Sequence, residues 1–298
     1  MTESLTSQCP VNLPETSPEF EALLDYLKQN RGCDLTGYKR STLMRQFEHR
    51  MQCINIDSYQ RYLQYLQCHA EEHLALLNDV LINFTDFFRD RNAWTYLATE
   101  IIPKIISSKQ TDESIRVWSA GCASGEETYS LAMLLAEALG IEQFQQRVQL
   151  YGTDVDPDAV IQARNGYYSA HAVEAIPAAL REQYFERTTD GYLWRTDLRR
   201  SMIFQCHDLI QAPPFPRIDL LVCRNTFIYF TELAQIRALV RFHFSLRNNG
   251  FLLLGQTENL FTNAQRSLFT PVARRARVFT KVPDAHRNPR LLSLAFKQ

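Results

Sequence analysis

A glycine-rich, acidic turn in the middle of the chain has residue types that could hold a cofactor. In VWSAGCASGEET, Gly121 and Gly125 bracket a tight turn, and Glu126 and Glu127 follow directly. Glycine lets the backbone approach a ligand, and the start of a helix presents free N–H groups. The two acids would repel a pyrophosphate, and the spacing differs from GxGxxG. The turn therefore indicates either S-adenosylmethionine, which carries an ammonium and a sulfonium, or simple helix capping by the acids.

Two further acidic residues follow apolar segments and could bind a nucleoside. Asp154 ends YGTDVD, where an acidic residue can accept hydrogen bonds from both hydroxyls of a ribose. Asp156 precedes a proline and is interpreted as the N-cap of the next helix. Asp208, in FQCHDL, could accept a hydrogen bond from the adenine amine, and Leu209 could contact the ring. His207 is interpreted as a packing or surface histidine.

Polar residues also end the apolar segment in LVCRNTFIYF. Arg224 and Asn225 follow the run that starts at Ile218, so they are candidates for a site at the end of a strand. Tyr229 comes four residues after Asn225 and could overhang a pocket. The alternative is that Phe227 and Tyr229 are ordinary packing aromatics.

An arginine near the end of the helical half could also act on a ligand. In INFTDFFRD, Thr85 and Arg89 are spaced i, i+4, and in a helix they share a face. Phe87 and Phe88 would anchor this segment. Capping or pairing with a carboxylate is the alternative role for Arg89.

The elements that must position these residues change character near residue 114. The pattern is helical from Phe20 to about Ile106, whereas strands and helices alternate afterwards. IRVWSA, VQLYG, IDLLVCRN and FLLLG are predicted strands, with a turn at Asn249-Gly250 before the last of them. This alternation predicts a parallel sheet covered on both faces, with a short terminal strand antiparallel at or near its edge.

These patterns predict five segments. They are a loose lead-in over 1–18, a helical N-terminal domain over 19–90, a linker helix over 91–113, a sheet domain over 114–282 with a short β-hairpin insert near 187–205, and a tail over 283–298.

Composition excludes several classes of protein. The 298 residues carry 32 Lys and Arg against 33 Asp and Glu, so the chain is not a globally basic nucleic-acid binder. Apolar runs fall short of the roughly 18–20 residues that a membrane span needs. The seven cysteines show no metal-ligand spacing, which predicts reduced thiols and no metal site. We therefore expect a cytoplasmic protein without membrane insertion.

Together these segments resemble the CheR-type chemotaxis receptor methyltransferases. Asn83, Thr85, Phe87, Phe88 and Arg89 fit the N-x-T-x-F-F-R segment of that family, and CRNTFIYF fits C-R-N-x-x-I-Y-F. VWSAGCASGEETYSLAMLL, TDVD and HDL match the remaining motifs in order, and the resemblance covers about 20–282. It implies a class I, Rossmann-like methyltransferase domain with a mostly parallel sheet and an antiparallel strand, preceded by a small all-helical domain.

The resemblance also implies an activity and residue roles. The family transfers methyl from S-adenosylmethionine to receptor glutamates, forming glutamyl methyl esters and S-adenosylhomocysteine. Arg89 and Tyr229 would be catalytic and flank the methyl group. The residues that would line the cofactor, with Gly121 added for its place in the turn, are Asn83, Thr85, Arg89, Gly121, Glu126, Asp154, Asp208, Leu209, Asn225 and Thr226.

A basic helix face in KRSTLMRQFEHRM could bind the substrate. At about 100° per residue, Leu43, Met44, Phe47 and Met51 fall on one arc, while a basic arc beside it contains Lys39, Arg45 and Arg50. A solvated charged face is the alternative interpretation. The family's receptors present an acidic helical coiled coil in the cytoplasm, which favours docking there. We expect a monomer that binds no nucleic acid.

Three other functions fit the sequence less well. One is a class I methyltransferase with another acceptor, but the N-P-P-Y type signature is missing at Asn225. Another is a catalytically silent S-adenosylmethionine-binding signalling scaffold, which intact Arg89 and Tyr229 disfavour. A nicotinamide dehydrogenase is disfavoured by the acidic turn and the missing GxGxxG.

Overall fold

A computed structural model describes residues 17–31, 34–258, 260 and 263–283. The chain divides into two compact units between Ile82 and Asn83, whereas the sequence pattern placed the boundary after residue 90. Of the predicted lead-in and tail, all but residues 17, 18 and 283 lie outside the described residues.

The first unit is helical, as predicted. Its helices are α1 (Pro18–Arg31), α2 (Arg40–Cys53), α3 (Tyr59–Cys68) and α4 (Glu72–Val80). Apolar residues recur at helical spacing and meet in one core, with Phe20 on α1, Leu43 and Phe47 on α2, and Tyr62 on α3 fully buried. Phe20 and Phe47 meet edge to face, with ring centroids 5.2 Å apart.

Arg50 has an internal partner in this unit, which corrects its assignment to an exposed basic face. Its guanidinium donates two hydrogen bonds to Glu72, at 2.7 and 2.8 Å, and Tyr62 Oη donates a third at 2.9 Å. The Glu72 side chain is only 4% exposed. A buried carboxylate needs such partners because the charge has lost its water. Arg50 therefore joins α2 to α4, and a change there would disturb the fold.

The second unit contains a seven-stranded sheet and a small three-stranded sheet. The strands are β1 (Ile115–Ala120), β2 (Val148–Asp154), β3 (Tyr167–Ser169), β4 (Phe185–Arg187), β5 (Gly191–Trp194), β6 (Met202–Cys206), β7 (Ile218–Cys223), β8 (Leu246–Leu254), β9 (Phe269–Ala273) and β10 (Val278–Lys281). The large sheet has the order β6-β2-β1-β7-β8-β10-β9, and the small one β3-β5-β4.

Strand direction confirms the predicted fold class. β6, β2, β1, β7 and β8 pair in parallel, and β10 pairs antiparallel with both β8 and β9. The antiparallel strand thus lies next to the edge.

The helices of this unit are α5 (Arg91–Tyr96), α6 (Ile102–Ser107), α7 (Glu126–Leu139), α8 (Ile141–Arg147), α9 (Pro157–Asn165), α10 (Ala178–Tyr184), α11 (Glu232–Ser245) and α12 (Asn263–Leu268).

Two local predictions differ from the structure. Asn249-Gly250 is not a turn: β8 runs through both residues, and its register against β7 shifts between Ile218 and Leu220. A Cβ at Gly250 would lie 3.0 Å from the carbonyl oxygen of Ile218, so glycine here permits a close approach between strands. The predicted hairpin near 187–205 corresponds to β4 and β5, to which the short strand β3 adds a partner.

Residues 91–107 form one helical run of α5, a π-helical turn and α6. Its apolar residues, including Trp94, Leu97 and Ile101, lie in the core of the second unit. The segment predicted as a linker helix therefore packs as part of the sheet domain.

We expect Asp219→Asn to lower the free energy of unfolding by about 2 kcal/mol. The Asp219 carboxylate lies 2.8 Å from Lys109 Nζ, and both side chains are under 7% exposed. It also accepts a hydrogen bond from Arg116 N at 2.9 Å. In the variant Lys109 would still pair with Glu113, at 3.3 Å, which limits the loss of stability. Denaturant unfolding measures the effect.

Glu100→Gln is the matched control for that variant. Glu100 pairs with Lys104 in the same unit, but both side chains are about half exposed, so its loss should change stability by under about 0.5 kcal/mol. Equal effects of the two variants would contradict a stabilising role for the buried pair.

Candidate functional site

The turn between β1 and α7 has the geometry of a ligand cradle. Gly121 and Gly125 have φ angles of 76° and 99°, a region that favours glycine. A Cβ at Gly121 would lie 2.3 Å from Thr226 Oγ1, so the turn and the segment after β7 approach closely. The amides of Gly121 and Cys122 donate to Thr153 O at 2.8 and 2.9 Å. This brings the ends of β1, β2 and β7 together.

Asp154 lies at the end of β2, where the sequence predicts a ribose acceptor. Its Oδ2 accepts a hydrogen bond from Ala123 N at 2.8 Å, and its Oδ1 accepts one from Asp156 N at 3.1 Å. Burial raises the pKa of this carboxyl. Each carboxylate oxygen can accept a second hydrogen bond, so the group can hold the turn and still receive two hydroxyls.

Asn83 lies beside the same strand end. Its amide donates to Asp156 Oδ2, and Asp156 Oδ1 accepts from Asp158 N at 2.8 Å. Asp156 therefore caps α9 as predicted, with its second oxygen bonded to Asn83.

The end of β6 completes this side of the site. His207 N donates to Asp154 O at 2.8 Å, which places Asp208 next to the end of β2. Asp208 Oδ1 accepts hydrogen bonds from Ile210 N at 2.7 Å and Gln211 N at 3.2 Å, so the carboxylate is held in one orientation. Leu209 is buried. Both residues therefore follow β6 directly, next to the end of β2.

The two adjacent glutamates differ in their partners. Glu126 Oε2 accepts a hydrogen bond from Ser124 Oγ at 2.7 Å, and burial raises its pKa to about 7. Glu127 Oε1 accepts from Ser119 Oγ at 2.9 Å, and Arg224 Nη1 donates to its other oxygen at 3.4 Å. The charge of Glu127 is thus balanced by Arg224 within the protein. Glu126 accepts its hydrogen bond from a neutral hydroxyl, so its carboxylate could bind the positive charge of a ligand.

We expect the affinity for S-adenosylhomocysteine to rise by up to about tenfold between pH 6 and pH 8 through ionisation of Glu126. A carboxyl with a pKa of about 7 is mostly neutral at pH 6 and mostly anionic at pH 8, and only the anion attracts an ammonium. Titration calorimetry across this range measures the change.

Glu126→Gln separates this effect from titration of the ligand itself. The ratio of wild-type to variant affinity should rise with pH, and a constant ratio would contradict the assignment.

The raised pKa of Glu126 also makes the stability of the unligated protein depend on pH, because the folded state holds this proton more tightly than the unfolded state does. The stabilisation from Glu126 is therefore complete below about pH 4.5 and is lost as the pH rises through 7.

The segment that contains Arg89 is not helical, which corrects the expectation that Thr85 and Arg89 share a helix face. Residues 82–86 lack regular structure, and Phe88 and Asp90 have positive φ angles of 53° and 61°. Phe87 is 1% exposed and meets Tyr168 edge to face, with centroids 4.9 Å apart. Phe88 N donates to Ser130 Oγ on α7 at 3.1 Å. The segment is therefore anchored to the sheet domain by Phe87 and by its backbone.

Arg224 fixes this segment in place. Its side chain is 2% exposed, and Nη2 donates to Arg89 O and to Asp90 Oδ2, both at 2.7 Å. Its guanidinium carbon lies 5.3 Å from the centroid of the Trp94 ring. Arg224, which the sequence indicates only as a general site candidate, thus positions Arg89. The Arg89 side chain itself donates to Phe84 O at 3.2 Å.

The segment after β7 is held by a buried glutamate that the sequence analysis missed. Glu258 is 4% exposed and accepts hydrogen bonds from Phe227 N at 2.7 Å and Gly255 N at 2.6 Å. Asn225 has a positive φ of 61°, and Tyr229 is half-buried in a short 3₁₀ turn. No spacing in the sequence links Glu258 to a segment 30 residues earlier.

The structure therefore brings the predicted cofactor residues that follow β1, β2, β6 and β7 to one edge of the sheet. Turn 121–126 follows β1, Asp154 ends β2, and Asp208 and Asn225 follow β6 and β7. Lys39 and Arg45 belong to the first unit, where both side chains are exposed.

The fold and this site define a methyltransferase that uses S-adenosylmethionine. A family model described as the SAM-binding domain of CheR methyltransferase matches residues 83–276, and a model of the all-alpha CheR domain matches residues 18–81. The chain belongs to the CheR methyltransferase family, and the predicted cofactor is confirmed. The two matches meet where the compact units divide.

Several relatives resemble the chain over most of its length. A chemotaxis protein methyltransferase of Listeria innocua is 30% identical over 87% of this chain and 96% of its own. A putative methyltransferase, Cher3, of Pseudomonas putida is 30% identical over 89% of this chain and 97% of its own. An uncharacterized 104.1 kDa protein of Rhodobacter capsulatus is 34% identical over 83% of this chain. This chain spans only 26% of the Rhodobacter protein.

Within the described ranges, no helix is long and apolar enough to cross a membrane. The same residues contain no cluster of side chains that could hold a metal ion. The five cysteines among them, at positions 53, 68, 122, 206 and 223, are free.

Proposed function

We propose that this protein transfers methyl groups from S-adenosylmethionine to glutamate side chains of chemotaxis receptors, acting as a cytoplasmic monomer. The observation that carries the proposal is the Arg224 contact. The hydrogen bond from Arg224 to Arg89 O joins the N-x-T-x-F-F-R segment to the C-R-N-x-x-I-Y-F segment. The two segments meet at the sheet edge where the predicted cofactor residues lie. Relatives of nearly full length are named chemotaxis protein methyltransferases, which supports the same function.

The residues at this edge fit S-adenosylmethionine. The turn approaches the segment after β7 so closely that a Cβ at Gly121 would clash with Thr226 Oγ1, so glycine lets the two backbones meet at this edge. Glu126 offers a buried acid for the ammonium, and Asp154 offers acceptors for ribose. Asn83, Thr85, Arg89, Leu209 and the 225–226 segment would complete the binding surface.

The reaction is a direct displacement at carbon. S-adenosylmethionine supplies an electrophilic methyl group: as the glutamate oxygen bonds to it, the carbon–sulfur bond breaks and its electron pair stays on sulfur. A glutamate with an ordinary pKa of about 4.3 is already anionic at neutral pH, so the protein needs no general base. Arg89 would orient the carboxylate, and Tyr229 would donate a hydrogen bond near the methyl group. Alignment and exclusion of water are then the protein's main contributions.

Transfer of a labelled methyl group tests this function. The protein is incubated with S-adenosylmethionine carrying a tritiated methyl group and the cytoplasmic fragment of a chemotaxis receptor. Label on the fragment that mild base releases as methanol is the expected result, because carboxyl esters are base-labile. Base-stable label would instead indicate a nitrogen acceptor. Cofactor binding without any transfer would favour the silent scaffold.

We expect Arg45→Glu to raise the KM for the receptor fragment about five- to tenfold, in line with about 1 kcal/mol for a charge contact of this kind. Arg45 is exposed on α2, opposite the buried residues Leu43 and Phe47. The affinity for S-adenosylhomocysteine should stay unchanged. Steady-state kinetics with varied receptor concentration measure the effect.

Arg61→Glu is the matched control. Arg61 is also exposed in the first unit, but it lies on α3 and pairs with Asp57 at 2.9 Å. An equal rise in KM for both variants would show that the effect comes from the net charge of the protein. Arg45 would then have no specific role in docking.

A further inference from the structure

A basic cleft lies beside the proposed site, at the same edge of the large sheet. It has a volume of about 610 Å³ and is lined mainly by Asp90, Arg91, Asn92, Tyr96, Gln256 and Arg275. One wall is the start of the helical run after Arg89, and the other is formed by the loop after β8 and the β9–β10 turn.

The direction of β10 places the β9–β10 turn at this edge. Because β10 is antiparallel to β8, Val278 at its start pairs with Leu253 near the end of β8. Leu254 N donates to Arg277 O at 3.1 Å, and Arg277 donates to Gln256 O at 2.9 Å. The wall that contains Arg275 is therefore fixed to the sheet.

The cleft carries positive charge. Arg91 and Arg275 are both exposed, and no carboxylate of a described residue lies within salt-bridge distance of either one. The acid in the lining, Asp90, is already paired with Arg224 at 2.7 Å. Asn92 and Gln256 add amide donors. Guanidinium groups and amides together suit carboxylates, which accept several hydrogen bonds at once.

The cleft is separate from the half of the edge that fits the cofactor. The cofactor residues follow β6, β2, β1 and β7, whereas Gln256 follows β8 and Arg275 precedes β10. The two regions adjoin at two points. Asp90 comes directly after Arg89, and a Cβ at Gly255 would lie 2.9 Å from Asn225 N. A ligand in the cleft would thus lie next to the residues proposed to act on the methyl acceptor.

We propose that this cleft binds acidic side chains that flank the methylated glutamate in the acceptor protein. The inference rests on the proposed function and adds a docking site on the sheet domain to the basic face of α2. The cleft is larger than a small anion needs, and its two exposed arginines complement the negative charge of an acidic protein segment. The two arginines come from different elements, so they can contact separate carboxylates along one segment.

Charge reversal tests the cleft. Arg91→Glu and Arg275→Glu are each expected to raise the KM for the receptor fragment about tenfold, and to leave the affinity for S-adenosylhomocysteine unchanged. Arg274→Glu is the matched control: it is exposed in the same β9–β10 turn but lines a different cavity, with Leu260 and Phe279. A KM change no larger than that of the control would overturn the proposal. An equal loss of cofactor affinity would overturn it too, because the cleft would then serve the cofactor.

A binding measurement without turnover separates this proposal from the methylation itself. A fluorescein-labelled helical peptide rich in glutamate is titrated with the wild type and the three variants, and fluorescence anisotropy is read. Weaker binding by Arg91→Glu and Arg275→Glu alone would support the cleft, even if no methyl transfer occurs. Binding that Arg274→Glu weakens equally would overturn it and leave the proposed function intact. Full displacement of the peptide by about 10 mM inorganic phosphate, which mostly fills a site with a millimolar dissociation constant, would indicate a small-anion site and overturn it as well.

Discussion

Arg89→Ala is expected to lower kcat for methyl transfer about 10²- to 10³-fold while the protein stays folded. The loss follows from the proposed role of the guanidinium in orienting the acceptor carboxylate beside the methyl group. The fold should survive because the Arg89 side chain bonds within its own segment, to Phe84 O, while other groups anchor the segment to the sheet domain. Arg224 and Trp94 both donate to the Arg89 carbonyl oxygen, each at 2.7 Å, and alanine keeps that oxygen.

Single-turnover measurements at saturating cofactor and receptor fragment isolate the chemical step for this variant. Because Arg89 is also proposed to contact the cofactor, its affinity for S-adenosylhomocysteine is measured in parallel and should change less than kcat. Arg89→Lys serves as the conservative variant: it keeps the charge without the planar fork and should recover only part of the rate. Wild-type turnover by Arg89→Ala would remove Arg89 from the mechanism.

The sequence predicted the sheet domain well because its pattern depends on burial. β1 and β7 are almost fully buried and consist mostly of apolar residues, while α7 and α11 are long helices between strands. The ends of such strands meet at one edge by topology alone, so Asp154, Asp208 and Asn225 could be grouped before any coordinates.

The segment around Arg89 shows what such patterns do not reveal. The spacing of Thr85 and Arg89 is compatible with a helix, but Phe88 and Asp90 adopt left-handed backbone conformations that end one. Non-glycine residues rarely adopt this region, and here long-range contacts of Phe87 and Arg224 stabilise it. Nothing local in the sequence carries that information.

The partners of charged residues were also beyond the reach of the sequence. The sequence analysis grouped Arg45 and Arg50 on one basic arc, yet Arg50 binds the buried Glu72 from another helix and Arg45 is exposed. Glu126 and Glu127 are adjacent, yet only Glu127 is bonded to Arg224, 97 residues away. Which charge is internal and which can meet a ligand is decided by the tertiary structure.

Asp154→Ala is expected to weaken binding of S-adenosylhomocysteine about 100-fold. A hydrogen bond to a charged acceptor contributes about 1.5–3 kcal/mol, and the carboxylate is proposed to receive two ribose hydroxyls. The same carboxylate holds the cofactor turn through Ala123 N at 2.8 Å, so alanine also loosens the cradle. Calorimetric titration of both proteins gives the two dissociation constants directly.

Two further variants make the Asp154 result specific. Asp154→Asn keeps one oxygen acceptor and should fall between wild type and alanine. Asp158→Ala removes an exposed acid from the first turn of α9, only four residues away, and should bind like wild type. If Asp158→Ala weakened binding as much as Asp154→Ala, the effect would be one of net charge near the site. If Asp154→Ala bound as tightly as wild type, the ribose would have to be held elsewhere, and the end of β2 would lose its place in the cofactor site.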